Sequence, residues 1–166
     1  MKEVVLGIGN VLKGDDGVGI YIAEQVNKHI KEVKKKLKQS TLTGTEREII
    51  AINCGTTPEN YTSIIRRHNP DKLILVDAAD MGLSPGSYRI IPPDRIEVMH
   101  ISTHDTPLSI FISYVSELCE DIILIGIQPE KVDIGTALSC TVQRSGDLVA
   151  NLIAEKRLDE IKSLET

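Results

Sequence analysis

Residues 6–19, LGIGNVLKGDDGVG, constrain the fold more than any other stretch, because the chain changes character twice within them. Val4, Val5 and Leu6 read as the end of a buried strand. Glycines at 7, 9, 14, 17 and 19 then loosen the backbone, Asp15 and Asp16 stand side by side, and a helical apolar pattern begins at Val18. A strand that runs through a glycine-rich turn into a helix places that turn at the carboxyl edge of a parallel sheet, where open α/β proteins keep their sites.

The rest of the chain repeats the theme. A strand is expected over 3–9, then a helix from Gly17 with Ile22, Val26, Ile30, Val33 and Leu37 on one stripe, stopping near Ser40. Residues 40–47 (STLTGTER) read as an exposed loop and 48–54 (EIIAINC) as a strand. In GTTPE, Thr57 is placed to cap a helix and Pro58 to occupy its first position, with Tyr61, Ile64, Ile65 and His68 on one face. Asn69-Pro70-Asp71 ends that helix. Residues 72–78 (KLILVDA) are the most continuous buried-strand signal.

After a Ser84-Pro85-Gly86 turn, SYRII reads as a short edge strand closed by Pro92-Pro93, while 94–103 carry no clear pattern. Thr106-Pro107 opens a helix with Leu108, Phe111, Ile112, Val115 and Leu118 at helical spacing, and 121–127 (DIILIGI) form the last strand. A loop over 128–137 leads to a C-terminal helix carrying Leu148, Leu152, Ile153 and the charged tail to Thr166. This order predicts a three-layer α/β/α sandwich around a twisted, mostly parallel but mixed five-stranded sheet. Its 166 residues suit one domain, 1–166, with a core large enough to need no disulfide or structural metal.

A formal charge of −5 argues against a general nucleic-acid binder. The basic run from Lys31 to Lys38 falls late in a helix, where cations suit the dipole. Cys54, Cys119 and Cys140 are odd in number and lack metal-ligand spacing, so reduced thiols are expected. MKE leads straight into VVLGIG, without the apolar region of a signal peptide, and no apolar run is long enough to span a bilayer. A cytoplasmic protein, acting as a monomer and without membrane insertion, is expected.

The glycine turn is not a phosphate cradle. A dinucleotide fingerprint needs glycine where Leu12 stands, and a P-loop needs Lys and Ser or Thr where Asp15 and Asp16 stand. One acid is enough to cap the following helix, a role that suits Asp15; the second, Asp16, is free to face a site. Asp77 ends a strand, and His104 (STHDTP) precedes a helix, whose positive dipole end keeps an imidazole neutral and able to bind metal. Two carboxylates and an imidazole suit a borderline divalent ion such as nickel, zinc or cobalt. Gly9, Asn10 and Asp15 are expected to border the substrate. His29, His68 and His100 read as surface or packing residues, and Cys54 as a buried thiol.

GIGNVLKGDDGVG, LILVDAADMGLSPGSYRII, STHDTPL and ILIGIQPE, in that order, resemble the hydrogenase maturation endopeptidases, most closely the branch serving the hydrogenase of formate hydrogenlyase. The resemblance spans residues 4 to about 130. It implies removal of a C-terminal extension from the precursor of a nickel-iron hydrogenase large subunit, after nickel has been inserted. Carried over position by position, it makes Asp16 and Asp77 the catalytic, metal-contacting carboxylates and His104 the metal-contacting histidine, with nickel supplied by the precursor. Asn53-Cys54-Gly55 departs from the family's usual Asp-Gly-Gly. Two other readings remain: a peptidase with a permanent zinc ion, and a nickel-dependent checkpoint protein that binds the precursor without cutting it.

Overall fold

The computed structural model describes residues 1–38, 47–96 and 106–165. Strands β1 (Lys2–Gly7), β2 (Glu48–Asn53), β3 (Lys72–Ala78), β4 (Tyr88–Ile90) and β5 (Ile122–Ile127) form one sheet in the order β2-β1-β3-β5-β4. The first, second, third and fifth are parallel, while β4 runs antiparallel on β5 at the edge of the sheet, the edge position that the prolines beside it predicted. The helices are α1 (Val18–Lys38), α2 (Thr62–His68), α3 (Pro93–Ile96), α4 (Leu108–Val115) and α5 (Cys140–Ala154).

Strand alternation builds the two cores. Val4, Leu6, Leu73, Leu75 and Leu124 face Ile65 of α2 and Leu108, Phe111 and Val115 of α4. Val5, Ile74, Val76, Ile125 and Ile127 face Val18, Ile22 and Val26 of α1 and Val142, Val149 and Ile153 of α5. Each fully buried Ile or Val contributes about 1.5–3 kcal/mol relative to exposure. With α1 on one face and α2 on the other, the chain reverses its winding between β1 and β3. That switch point opens a crevice at the carboxyl ends of these strands.

Several expectations change. The first strand ends at Gly7: the Ile8 amide makes the last bond to β3, at the Val76 carbonyl, and the Gly9 amide turns to the Gly55 carbonyl. Val33 and Leu37 are exposed, lining an open groove beside the starts of β1 and β2 instead of entering the core. Of the loop predicted over 40–47, residues 40–46 lie outside the described residues, as do 97–105. Arg47 is held firmly: its Nε donates to Glu3 at 2.9 Å, and Nη1 and Nη2 donate to the Ala154 and Ile153 carbonyls at 2.6 and 2.9 Å.

Thr57 does not cap through its side chain. Its Oγ1 instead accepts from Asn60 Nδ2 at 3.1 Å, and Pro58–Tyr61 wind as a 3-10 turn. Helix α5 stops at Ala154, where Lys156 takes a positive φ of 59°, so the tail is not helical. Leu148 projects from α5 into solvent, whereas Val149, Leu152 and Ile153 supply the core. The tail bends through Leu158–Glu160 and runs along β4, where the Ile90 amide donates to Lys162 and the Leu164 amide donates to Ile90. No described helix is long and apolar enough to cross a membrane.

Candidate active site at the carboxyl edge of the sheet

Gly7 ends β1, and the chain turns back through a 3-10 turn, Gly14–Gly17, into α1. The turn is drawn tightly over the strand ends. A Cβ at Gly19 would collide with the Ile8 and Val76 carbonyl oxygens, and one at Gly9, where φ is +153°, would collide with the Asp16 carbonyl. These approaches seat Asp16 over the carboxyl ends of β1 and β3. Asp77 is the penultimate residue of β3, shares the strand face of Leu73 and Leu75, and is fully buried.

Asp16 is almost wholly buried, and its Oδ2 accepts the Asn10 amide at 3.1 Å. Asn10 Oδ1 in turn accepts the Leu12 amide at 2.9 Å, which fixes the loop between strand and acid. The Gly9 amide donates to Gly55 at 2.9 Å, tying this loop to the turn after β2. Gly9 and Asn10 therefore hold the loop on which the acid sits.

Asp15 is placed otherwise. It is fully buried; Oδ1 accepts the Ser139 amide at 2.7 Å, and Oδ2 accepts the amides of Glu130 and Lys131 and the Ser139 hydroxyl at 2.9–3.0 Å. The acid expected to cap α1 thus anchors the residue that precedes α5 and gathers the loop after β5. This placement corrects the expectation of substrate contact, because a carboxylate buried under four donors has no surface to offer.

His104 and His100 lie outside the described residues. The helix that follows, α4, begins at Leu108 with Pro107 in the capping position. Among the described residues no group of three or more His, Cys, Asp or Glu is arranged to hold a metal ion. His29 lies at the opposite, amino edge of the sheet, lining a groove of about 780 Å³ between α1 and β2 that contains no predicted site residue. His68 ends α2. Cys54 is a buried thiol whose pKa burial pushes up to about 12, so thiolate chemistry at neutral pH is closed to it.

Gln128 emerges as a residue whose role the sequence did not reveal. It follows β5, is buried, and accepts the Met81 and Leu83 amides through Oε1 at 2.6 and 3.3 Å while donating from Nε2 to Asp80 at 3.1 Å. This clip holds the loop that leaves Asp77. The only signal for it was a polar residue directly after a buried strand.

Comparison with known proteins agrees with this architecture. A family model described as hydrogenase maturation protease matches residues 20–156. The hydrogenase 3 maturation protease of Escherichia coli is 37% identical over 133 residues, covering 80% of this chain and 76% of that protein. The solution structure of the endopeptidase HycI from Escherichia coli superposes with a TM-score of 0.79 at 31% identity, covering 99% of this chain and 97% of that one. The crystal structure of a [NiFe] hydrogenase maturation protease HycI from Thermococcus kodakarensis gives 0.76 at 32% identity, covering 94% and 92%. With sequence and fold in accord over most of its length, the chain belongs to the hydrogenase maturation protease family.

Proposed function

We propose that this protease removes the C-terminal extension of a [NiFe]-hydrogenase large-subunit precursor that already carries nickel, and that it works in the cytoplasm as a monomer. The reading is supported by two buried acids on elements that end at the carboxyl edge of the sheet, Asp16 in the turn after β1 and Asp77 near the end of β3, the two strands that flank the switch point.

In this reading Asp16, Asp77 and His104 complete the coordination of the precursor's nickel, a donor set of two carboxylates and an imidazole that suits a borderline divalent ion. Nickel supplies Lewis acidity for the scissile carbonyl. Asp16 or Asp77 orients the attacking water and accepts its proton, which passes to the departing amine. The Asn10 amide on Asp16 Oδ2 restrains the orientation of that carboxylate.

Incubation with nickel-loaded and nickel-free precursor from the same source tests the proposal by mass spectrometry. Loss of the extension from the loaded form alone is expected. Equal cleavage of both forms would overturn nickel recognition, and a stable complex with unchanged mass would identify a checkpoint binder. Stoichiometric zinc in protein purified without chelators would favour a self-contained metallopeptidase.

A further inference from the structure

Four large apolar side chains exposed among the described residues lie on two loops that meet beside the acidic turn: Val11 and Leu12 on one, Val132 and Ile134 on the other. Leu12 is 69% exposed and Ile134 81%. Single exposed aliphatics are ordinary, but several on loops that adjoin each other mark a candidate interaction surface.

The two loops are fastened to each other. The Gly135 amide donates to the Leu12 carbonyl at 2.8 Å, the Gly14 amide to Thr136 at 3.1 Å, and the Asp15 amide to Lys131 at 2.8 Å, while the Asp15 carboxylate holds residues 130, 131 and 139. Apolar side chains on a fastened lip cannot fold inward to escape water. Such a surface is preorganised for a ligand that supplies the missing contacts.

The lip is also continuous with the candidate acid. The Leu12 amide donates to Asn10 Oδ1, and the Asn10 amide donates to Asp16 Oδ2. These two bonds and the single residue between them keep the Leu12 amide within about 10 Å of the Asp16 carboxylate, the reach of two or three residues of extended peptide.

We propose that this lip is a docking surface for the protein substrate, receiving aliphatic side chains of an extended precursor segment two or three residues from the cut bond. The inference rests on the protease function proposed above. It assigns Leu12 and Ile134 to substrate affinity and leaves bond cleavage to the acids.

The test compares wild-type protein with the Leu12→Ser/Ile134→Ser double variant, the conservative Leu12→Met/Ile134→Val pair, and Leu148→Ser as an exposed aliphatic remote from the lip, all on nickel-loaded precursor. Removing binding that is equal in ground and transition states raises KM and spares kcat. The serine pair is expected to raise KM about tenfold or more with kcat within about twofold, since each buried aliphatic carries a substantial transfer free energy. The conservative pair and Leu148→Ser are expected to match wild type.

A second arm leaves the enzyme intact and replaces the precursor's aliphatic side chains two and three residues from the cut bond by serine. KM is expected to rise similarly, and combining both changes is expected to give less than the product of the separate effects. An unchanged KM for the serine pair on a precursor that the wild type cleaves would overturn the lip alone. A wild type that neither binds nor cleaves the precursor would overturn the protease reading and the lip with it. A dimer that dissolves in the serine pair, with KM unchanged, would assign the lip to self-association and overturn the proposal.

Discussion

Asp15 and Ser139 are joined twice across 124 positions of sequence, by the Ser139 amide at 2.7 Å and the Ser139 hydroxyl at 3.0 Å. One carboxylate thereby ties the first loop of the sheet to the start of its last helix. Asp15→Ala would strand three buried or half-buried amides and is expected to lower stability by about 3 kcal/mol, read as a reduced urea midpoint. Asp15→Asn keeps one acceptor oxygen and is expected to lose less. A midpoint within experimental scatter of wild type would remove the clamp from the account.

Asp16→Asn and Asp77→Asn should each retain the wild-type melting temperature within a few degrees and lower precursor cleavage by about 10²–10⁴-fold, the range of a positioned general base. Cleavage at the wild-type rate by either variant would take that acid out of the site.

Gly9→Ala tests how tightly the acid is positioned. A Cβ there meets the Asp16 carbonyl oxygen, and φ of +153° is strained for any L side chain, so the turn must shift. A displacement on the order of 1 Å at a reacting group costs about a hundredfold in rate. The measurement is single-turnover cleavage, and an unimpaired rate would show that the turn yields without moving the acid.

Glu3 is buried beneath Arg47, whose guanidinium also donates to two carbonyls at the end of α5. Arg47→Ala leaves the buried carboxylate without its cation and is expected to destabilise the protein by about 3–5 kcal/mol. The double change Arg47→Met/Glu3→Leu should recover most of that loss in a denaturant titration. If the single variant unfolded at the wild-type midpoint, the ion pair would carry no net stability.

The Cys54 thiol, held to about 12 by burial against an ordinary 9.0, makes stability depend on alkaline pH. Between those values the unfolded chain has released the proton and the folded chain retains it, so the folded state binds more protons and stability falls as pH rises. Below about 9 the group contributes no slope. Melting temperature should decline less steeply from pH 9 to 11 in Cys54→Ala than in wild type, and parallel curves would refute the assignment.

Sequence reading succeeds where local pattern and tertiary burden coincide. KLILVDA is hydrophobic at every inner position because β3 is buried on both faces, and Pro92 marks the edge beside β4. It fails where a distant partner decides. Nothing near Asp15 announces Ser139, and nothing near Gln128 announces Met81 and Leu83. The tail misleads for a different reason: Leu158, Ile161 and Leu164 recur every third residue as on a helix, yet Lys156 ends α5 in a left-handed conformation that usually calls for Gly or Asn. That Asp16 and Asp77 lie at the carboxyl edge was legible because each closes or follows a parallel strand, and the fold brings such positions to one edge.

The tail along β4 bears on how the protein reaches its native state. Ile90 and Ser163 pair across 73 positions, and the Ile90 and Leu164 amides complete the seam. Contacts closing so long a loop form late, after the entropy of the intervening chain has been surrendered. Until then β4 presents unsatisfied amides and carbonyls to any neighbouring molecule, a template for edge-to-edge association. Refolding yield should therefore fall as protein concentration rises, with the loss set by competition between this intramolecular seam and the same pairing made between chains.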